Sequence, residues 1–249
     1  MAVGAAASAA VRASLEATAG IEAEAAGVPA GSQADPPSGD SAPAADPLPG
    51  APGEDGRECV FCNVAVQPPA LLEMARVRLV PDKYPLFAGH LLIITREHLA
   101  CLGAAPAETL AEVERMAALA RRFIGEAYGR PFTWENGVAG QSVFHAHLHV
   151  IPGPEVALPA PRAGDGSAPV AGWGEVGAWY REHGPYHYAE SGEDRRVIEP
   201  DGELIWKMRA SLGAAARLRF VDGRFERATT PADVAEVARR WEAWPGRRA

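Results

Sequence analysis

The run Gly140-Gln141-Ser142-Val143-Phe144-His145-Ala146-His147-Leu148-His149-Val150-Ile151-Pro152 holds three of the chain's seven histidines at a spacing of two. Two is the period of a β-strand, so His145, His147 and His149 share one face, and Ala146, Leu148 and Val150 the other. Adjacent imidazoles admit three kinds of chemistry: a metal site, a nucleophile with its helpers, or a pH sensor. A zinc ion with bonds of about 2 Å takes two of these rings easily. It takes all three only with bending, because the ends of the run lie ~13 Å apart at strand rise. The nucleophile reading uses more of the sequence. A neutral imidazole attacks phosphorus near pH 7 and forms a phosphoramidate that water then breaks. The attacking ring, His147, is steadied through its other nitrogen by a carbonyl or a neighbour, and a flanking histidine protonates the leaving group. Gly140-Gln141-Ser142 adds backbone N–H groups, an amide and a hydroxyl suited to phosphate oxygens. The bland alternative is three satisfied histidines on a sheet face.

Positioning such a strand requires a sheet. Met74 to Val80, Leu91 to Thr95 and Phe132 to Glu135 read as strands. Pro106 to Tyr128 reads as a long helix. Its apolar stripe runs through Leu110, Val113, Met116, Leu119, Ala120, Phe123 and Ile124, and Gly129 and Pro131 stop it. The fold class is therefore α+β, an antiparallel sheet with one long helix and one face left for a site. Pro152 to Gly174 reads as a linker or surface loop. Beyond it, Tyr186 to Glu190 and Arg195 to Glu199 pair as a hairpin, and Glu203 to Ala216 looks helical. A last helix starts at the Thr230 cap with Pro231 and Asp233, and carries the stripe Val234, Val237, Trp241 and Trp244. The chain thus divides into a tail (1–56), a histidine-bearing domain (57–155) and a C-terminal α/β extension (156–249).

Charge separates the tail from the rest. Residues 1–56 hold one basic residue and eight acidic ones, a net of -7 out of the chain's -8. Rich in Ala, Pro, Gly and Ser, the tail cannot bury enough apolar surface to offset its chain entropy and is expected to be disordered. The near-neutral remainder lacks the basic signature of a protein that binds duplex nucleic acid. No apolar run is long enough for a membrane span, and the tail lacks the features of a secretion signal. Three cysteines, two of them in a C-x-x-C, fit a reduced, cytoplasmic setting better than a disulfide framework.

His145-Ala146-His147-Leu148-His149-Val150-Ile151 resembles the motif of the histidine triad (HIT) family at every position. The resemblance extends through Gly140-Gln141-Ser142-Val143, through Gly89-His90-Leu91-Leu92-Ile93-Ile94-Thr95-Arg96-Glu97-His98, and to Cys59-Val60-Phe61-Cys62. It covers roughly residues 57 to 155. It implies an antiparallel sheet with a long helix, and hydrolysis or transfer of nucleoside monophosphates from dinucleoside polyphosphates, nucleoside phosphoramidates and related compounds. By the same resemblance His147 is the nucleophile, and His149 and His145 bind phosphate and handle the leaving-group proton. Gln141 and Ser142 contact phosphate with Asn136 at its edge, and Asp82 takes the ribose hydroxyls, against a plain turn acid. His149, where the sugar-phosphate transferases carry Gln, places the chain on the hydrolase side. A homodimer and a nucleotide substrate are the implied partners. A phosphorylase, or a nucleotide-binding sensor with negligible turnover, are the alternatives.

Cys59 and Cys62 have zinc-knuckle spacing, and with His98 and His145 they would close a tetrahedral Cys2His2 site. Some HIT relatives bind structural zinc at these positions, which is what the resemblance suggests here. A redox C-x-x-C or two unliganded thiols are the other readings, and Cys101 reads as a small core residue. In the C-terminal third, His183, Tyr186, His187 and Tyr188 form either a stacking surface for a base or, the favoured reading, a packing layer on the sheet.

Overall fold

The computed structural model describes residues 59–153, 158, 164–201, 203–217, 219–221 and 224–248. The tail expected over residues 1–56 lies outside them. The elements are β1 (Leu72–Glu73), β2 (Val77–Pro81), β3 (Leu91–Thr95), α1 (Ala107–Ala127), β4 (Pro131–Glu135), β5 (His147–Pro152), β6 (Ser167–Pro169), α2 (Trp173–His183), β7 (His187–Ser191), β8 (Asp194–Ile198), α3 (Glu203–Ala215), β9 (Arg219–Val221), β10 (Arg224–Glu226) and α4 (Pro231–Ala243). Eight strands form one sheet in the order β1-β2-β3-β5-β4-β7-β8-β6, and every pairing in it is antiparallel. The α+β class and the antiparallel sheet with its long helix are as expected. The extension does not stand apart: its hairpin β7–β8 pairs with the outer edge of β4 and continues the sheet.

Alternation on the strands sorts the core into layers. Val77, Leu79, Leu91, Ile93, Leu148 and Val150 point to one face. There α1 packs through Val113, Met116, Ala120, Phe123 and Ile124, joined by α4 through Val237 and Trp241. Two tryptophans fix α4. Trp241 Nε1 donates to the Leu71 carbonyl at 3.0 Å and Trp244 Nε1 to a Glu126 carboxylate oxygen at 2.6 Å. Thr230 and Asp233 form the expected capping box at its start. The opposite face carries the histidines and has two covers. Phe61 packs with Val80, Leu92 and Ile94 at one end. At the other, α3 lays Leu204, Ile205, Met208 and Leu212 on Phe132, Trp134, Ile151, Ala189 and Ile198. No helix among the described residues is long and apolar enough to cross a membrane.

The aromatic residues after Gly172 seal the extension to the α1 face. Trp173 and Tyr188 are buried with ring centroids 4.5 Å apart. Tyr186 reaches through the core. Its hydroxyl donates to Glu135 Oε2 at 2.6 Å and accepts the Gly103 N–H at 2.8 Å, and Glu135 Oε1 accepts the Leu102 N–H at 2.6 Å. Gly137 allows this approach, since a Cβ there would lie 2.4 Å from the Tyr186 ring.

Burial raises the Glu135 carboxyl to about 7, although the Leu102 N–H and the Tyr186 hydroxyl oppose the rise. Between its ordinary value near 4.5 and about 7, the folded chain binds a proton that the unfolded chain has released, so stability falls as pH rises through that window. Denaturant unfolding should show this component, about 3 kcal/mol in size, and Glu135→Gln should remove it, flattening the slope of stability between about pH 4.5 and pH 7.

Candidate functional site

Backbone groups of fixed polarity decide the tautomer of each histidine of the run, directly at His145 and His147 and through His90 at His149. His147 opens β5, and its Nδ1 lies 2.6 Å from the His145 carbonyl. A carbonyl only accepts, so Nδ1 carries the hydrogen and Nε2 keeps its lone pair. Burial lowers the His147 pKa, against the opposing pull of the His145 carbonyl and Asp82. The neutral ring is thus the favoured form. Phe61 packs edge-on against it at 5.0 Å.

His149 lies two residues further along the same face. Its ring stacks on Trp134 of β4, with centroids 4.0 Å apart and planes 3° from parallel, as the Trp134↔His149 register requires. His149 Nδ1 is 2.9 Å from His90 Nε2, and His90 Nδ1 accepts the Leu86 N–H at 3.1 Å. An amide N–H only donates, so in the neutral rings the polarity runs from Leu86 through His90 to His149, and the His149 hydrogen is on Nε2. Burial lowers the pKa of both rings. Asp82 Oδ2 stands 3.3 Å from His90 Nδ1, while Asp82 Oδ1 accepts the Tyr84 N–H at 2.7 Å. Asp82, His90 and His149 offer donor atoms close enough for a metal ion, but the 2.9 Å His90–His149 separation is a hydrogen-bond distance.

His145 precedes β5 and turns elsewhere. Its Nε2 donates to the Thr95 carbonyl at 2.7 Å, which leaves the Nδ1 lone pair directed at Cys59 and Cys62, both 3.5 Å away. Cys62 Sγ is also 3.3 Å from His98 Nδ1. The four donor atoms of Cys59, Cys62, His98 and His145 form one cluster. Zinc bonds of ~2.3 Å to sulfur and ~2.0 Å to nitrogen at the tetrahedral angle separate S from N by ~3.5 Å, so the set is compatible with zinc. The Thr95 carbonyl behind His145 supplies the outer hydrogen bond that such ligands use. Arg78 holds the loop down by donating to the Phe61 carbonyl, and Gln67 Nε2 donates to the Val60 carbonyl at 2.8 Å.

Asp82, Ser142, His147 and His149 line one pocket with Phe61 and Tyr84. The other two candidate residues lie elsewhere. Gln141 donates its amide to the Ala100 carbonyl at 3.1 Å, and Asn136 accepts from His187 Nδ1 at 3.1 Å and from Arg209 at 3.5 Å. Cys101 is buried, and burial pushes its thiol up to about 12, which suits an inert core residue. His90, Phe61 and Arg209 were given no role from the sequence, and His187 was read only as part of a stacking surface or packing layer. His90 stood inside a quoted motif, but nothing in sequence spacing shows that it touches His149. A larger groove of about 820 Å³, between Pro68, Leu71 and α4 residues such as Val234 and Trp241, lies away from the histidines.

The HIT domain family model matches residues 67–156. A HIT-like protein from Chlamydia trachomatis is 33% identical over 93 residues, covering 36% of this chain and 84% of that protein. The chain belongs to the HIT family. A HIT-like protein from Mycobacterium tuberculosis is also 33% identical, over 114 residues, covering 43% of this chain and 74% of its own. Among solved structures, a Zn-bound histidine triad family protein from Mycobacterium smegmatis is 26% identical, covering 63% of this chain and 94% of that one, with a TM-score of 0.33. HIT proteins are in general nucleotide hydrolases and transferases. The matched HIT segment holds β1 to β5 and α1, and ends before β6.

The tautomers can be read directly. Nitrogen-15 spectra at pH 7 should show His147 protonated at Nδ1 and His149 at Nε2. His90→Phe should leave His147 unchanged and alter His149, since only His149 loses a partner.

Proposed function

We propose that the chain cleaves or transfers at the α-phosphate of dinucleoside polyphosphates or nucleoside phosphoramidates, through a nucleotidyl-histidine on His147. The observation that carries this reading is the His147 Nδ1 contact of 2.6 Å to the His145 carbonyl, which leaves the Nε2 lone pair in a pocket shared with Asp82, Ser142 and His149. In the first step His147 Nε2 forms a bond to phosphorus as the bond to the leaving group breaks. The leaving group departs with that electron pair, the Nε2–H of His149 donating a hydrogen bond to it, and an amine leaving group takes its proton from solvent. The His145 carbonyl stabilises the charge that appears on His147, because Nδ1–H donates to it throughout. Water then attacks phosphorus and loses a proton to solvent as the P–N bond breaks, and His147 regains its lone pair. His149 remains hydrogen-bonded to His90 through both steps. Ser142 serves the phosphate oxygens and Asp82 the ribose hydroxyls.

Cys59, Cys62, His98 and His145 would hold a structural zinc, which would tie the N-terminal loop to the sheet and leave His147 for the chemistry. Tying that loop also fixes Phe61 against His147.

Incubation with diadenosine tetraphosphate or adenosine phosphoramidate should release AMP, and rapid acid quench should trap an AMP-sized mass increase on His147. His147→Ala should lose activity by about a thousandfold or more. A His147→Ala protein that turns over normally refutes the mechanism.

Metal analysis should find roughly one zinc per chain. Cys59→Ser should lower both zinc content and thermal stability. Unchanged zinc in that variant removes the metal assignment.

A further inference from the structure

Asn136 marks the start of a polar row that the catalytic reading leaves unused. Trp134 pairs with His149 across β4 and β5 and with Ala189 across β4 and β7. Two residues further along, the same register sets Asn136 beside His147 on one side and His187 on the other, with strands ~4.8 Å apart. The His187 contact to Asn136 at 3.1 Å agrees with that register. Arg209 joins the row from above. It sits on α3, the helix that covers this face, and its Nη2 reaches Asn136 Oδ1 at 3.5 Å. Its guanidinium also lies against Gly140, where a Cβ would stand 2.8 Å from Nη2. Gly140 has a φ of +71°, so both the turn and the close approach favour glycine. A guanidinium is therefore set at the head of the Gly140-Gln141-Ser142 turn, one strand from the nucleophile. It comes from a segment outside the family match, which ends at residue 156.

We propose that Arg209 is a specificity-determining residue of this site, binding the phosphate of the leaving group and selecting polyphosphate substrates over phosphoramidates. The inference rests on the nucleotidyl-transfer reading above and narrows its substrate class. Two donors, His187 Nδ1 and Arg209 Nη2, take the Asn136 oxygen, which fixes the guanidinium beside this row. A guanidinium matches phosphate with paired, charge-assisted hydrogen bonds, whereas an amine leaving group offers it nothing to bind. α3 thus does more than roof the sheet: its apolar side packs on Phe132 and Trp134, and Arg209 on the same helix reaches Asn136.

The test uses the full chain carrying His147→Ala, so that ligand is bound and not consumed, with calorimetric titration of diadenosine tetraphosphate and of AMP. Adding Arg209→Met should raise the Kd for the tetraphosphate about tenfold or more and that for AMP less than about twofold. Arg209→Lys should recover part of the loss. Matching unfolding curves establish that each variant is folded. Equal weakening of both ligands, no change for the tetraphosphate, or no tetraphosphate binding by the His147→Ala chain overturns the proposal. Turnover by the unaltered chain reports separately on the reaction. Selective tetraphosphate binding through Arg209 without any adduct on His147 would remove the reaction and keep the binding role.

Discussion

Backbone groups of fixed polarity decide what each imidazole can do. The His145 carbonyl accepts from His147 Nδ1, the Thr95 carbonyl accepts from His145 Nε2, and the Leu86 N–H donates into the His90–His149 pair. None of these partners can reverse direction, since carbonyls only accept and amides only donate. A neutral imidazole has one hydrogen to place, so one such contact determines both nitrogens. Three rings of identical chemistry thereby take different jobs: a lone pair toward sulfur, a lone pair toward a pocket, and a hydrogen on Nε2. Burial supports the assignment by disfavouring the doubly protonated form of all three.

The rigidity behind these contacts comes from both ends of the chain. Before the sheet, the loop from Cys59 to Gln67 is held by Arg78 and by the Gln67 contact to Val60, and it presents Phe61 to His145 and His147. After the family segment, β7 and β8 extend the sheet past β4, and α3 closes over Trp134, the ring on which His149 stacks. Tyr186 and Glu135 lock this addition from the far face, with a buried carboxyl that keeps its proton well above the ordinary carboxylate range. The added segment thus touches the site through the sheet and reaches its face with Arg209.

Much of this was legible in the sequence because it is local. The spacing of His145, His147 and His149 announced a strand face, and β5 begins at His147. The stripe from Leu110 to Ile124 and the stop at Gly129 and Pro131 matched α1, and Thr230-Pro231 with Asp233 marked the start of α4. The hairpin around Gly192 was readable from its turn and its flanking strands. The short strands β1 and β6 and the helix α2 were not, since two or three residues carry no period and the α2 stripe is interrupted by glycines. The role of β7–β8 was also hidden, because a hairpin does not name the strand it will join.

By itself the sequence determined the α+β class and the family, and it named the histidines and cysteines that the structure gathers on one sheet face and its adjoining loop. Those follow from residue type and from spacings of two to four positions, which helices and strands translate directly into faces. Only the tertiary structure decided which nitrogen of each histidine is available, that His145 serves the cysteines while His147 faces the pocket, that His90 partners His149, and that Arg209 arrives at Gly140 from α3. Each of these depends on hydrogen bonds or contacts between residues far apart in the chain. Their geometry is set by strand register and by which helix covers which face, and no short-range pattern records it.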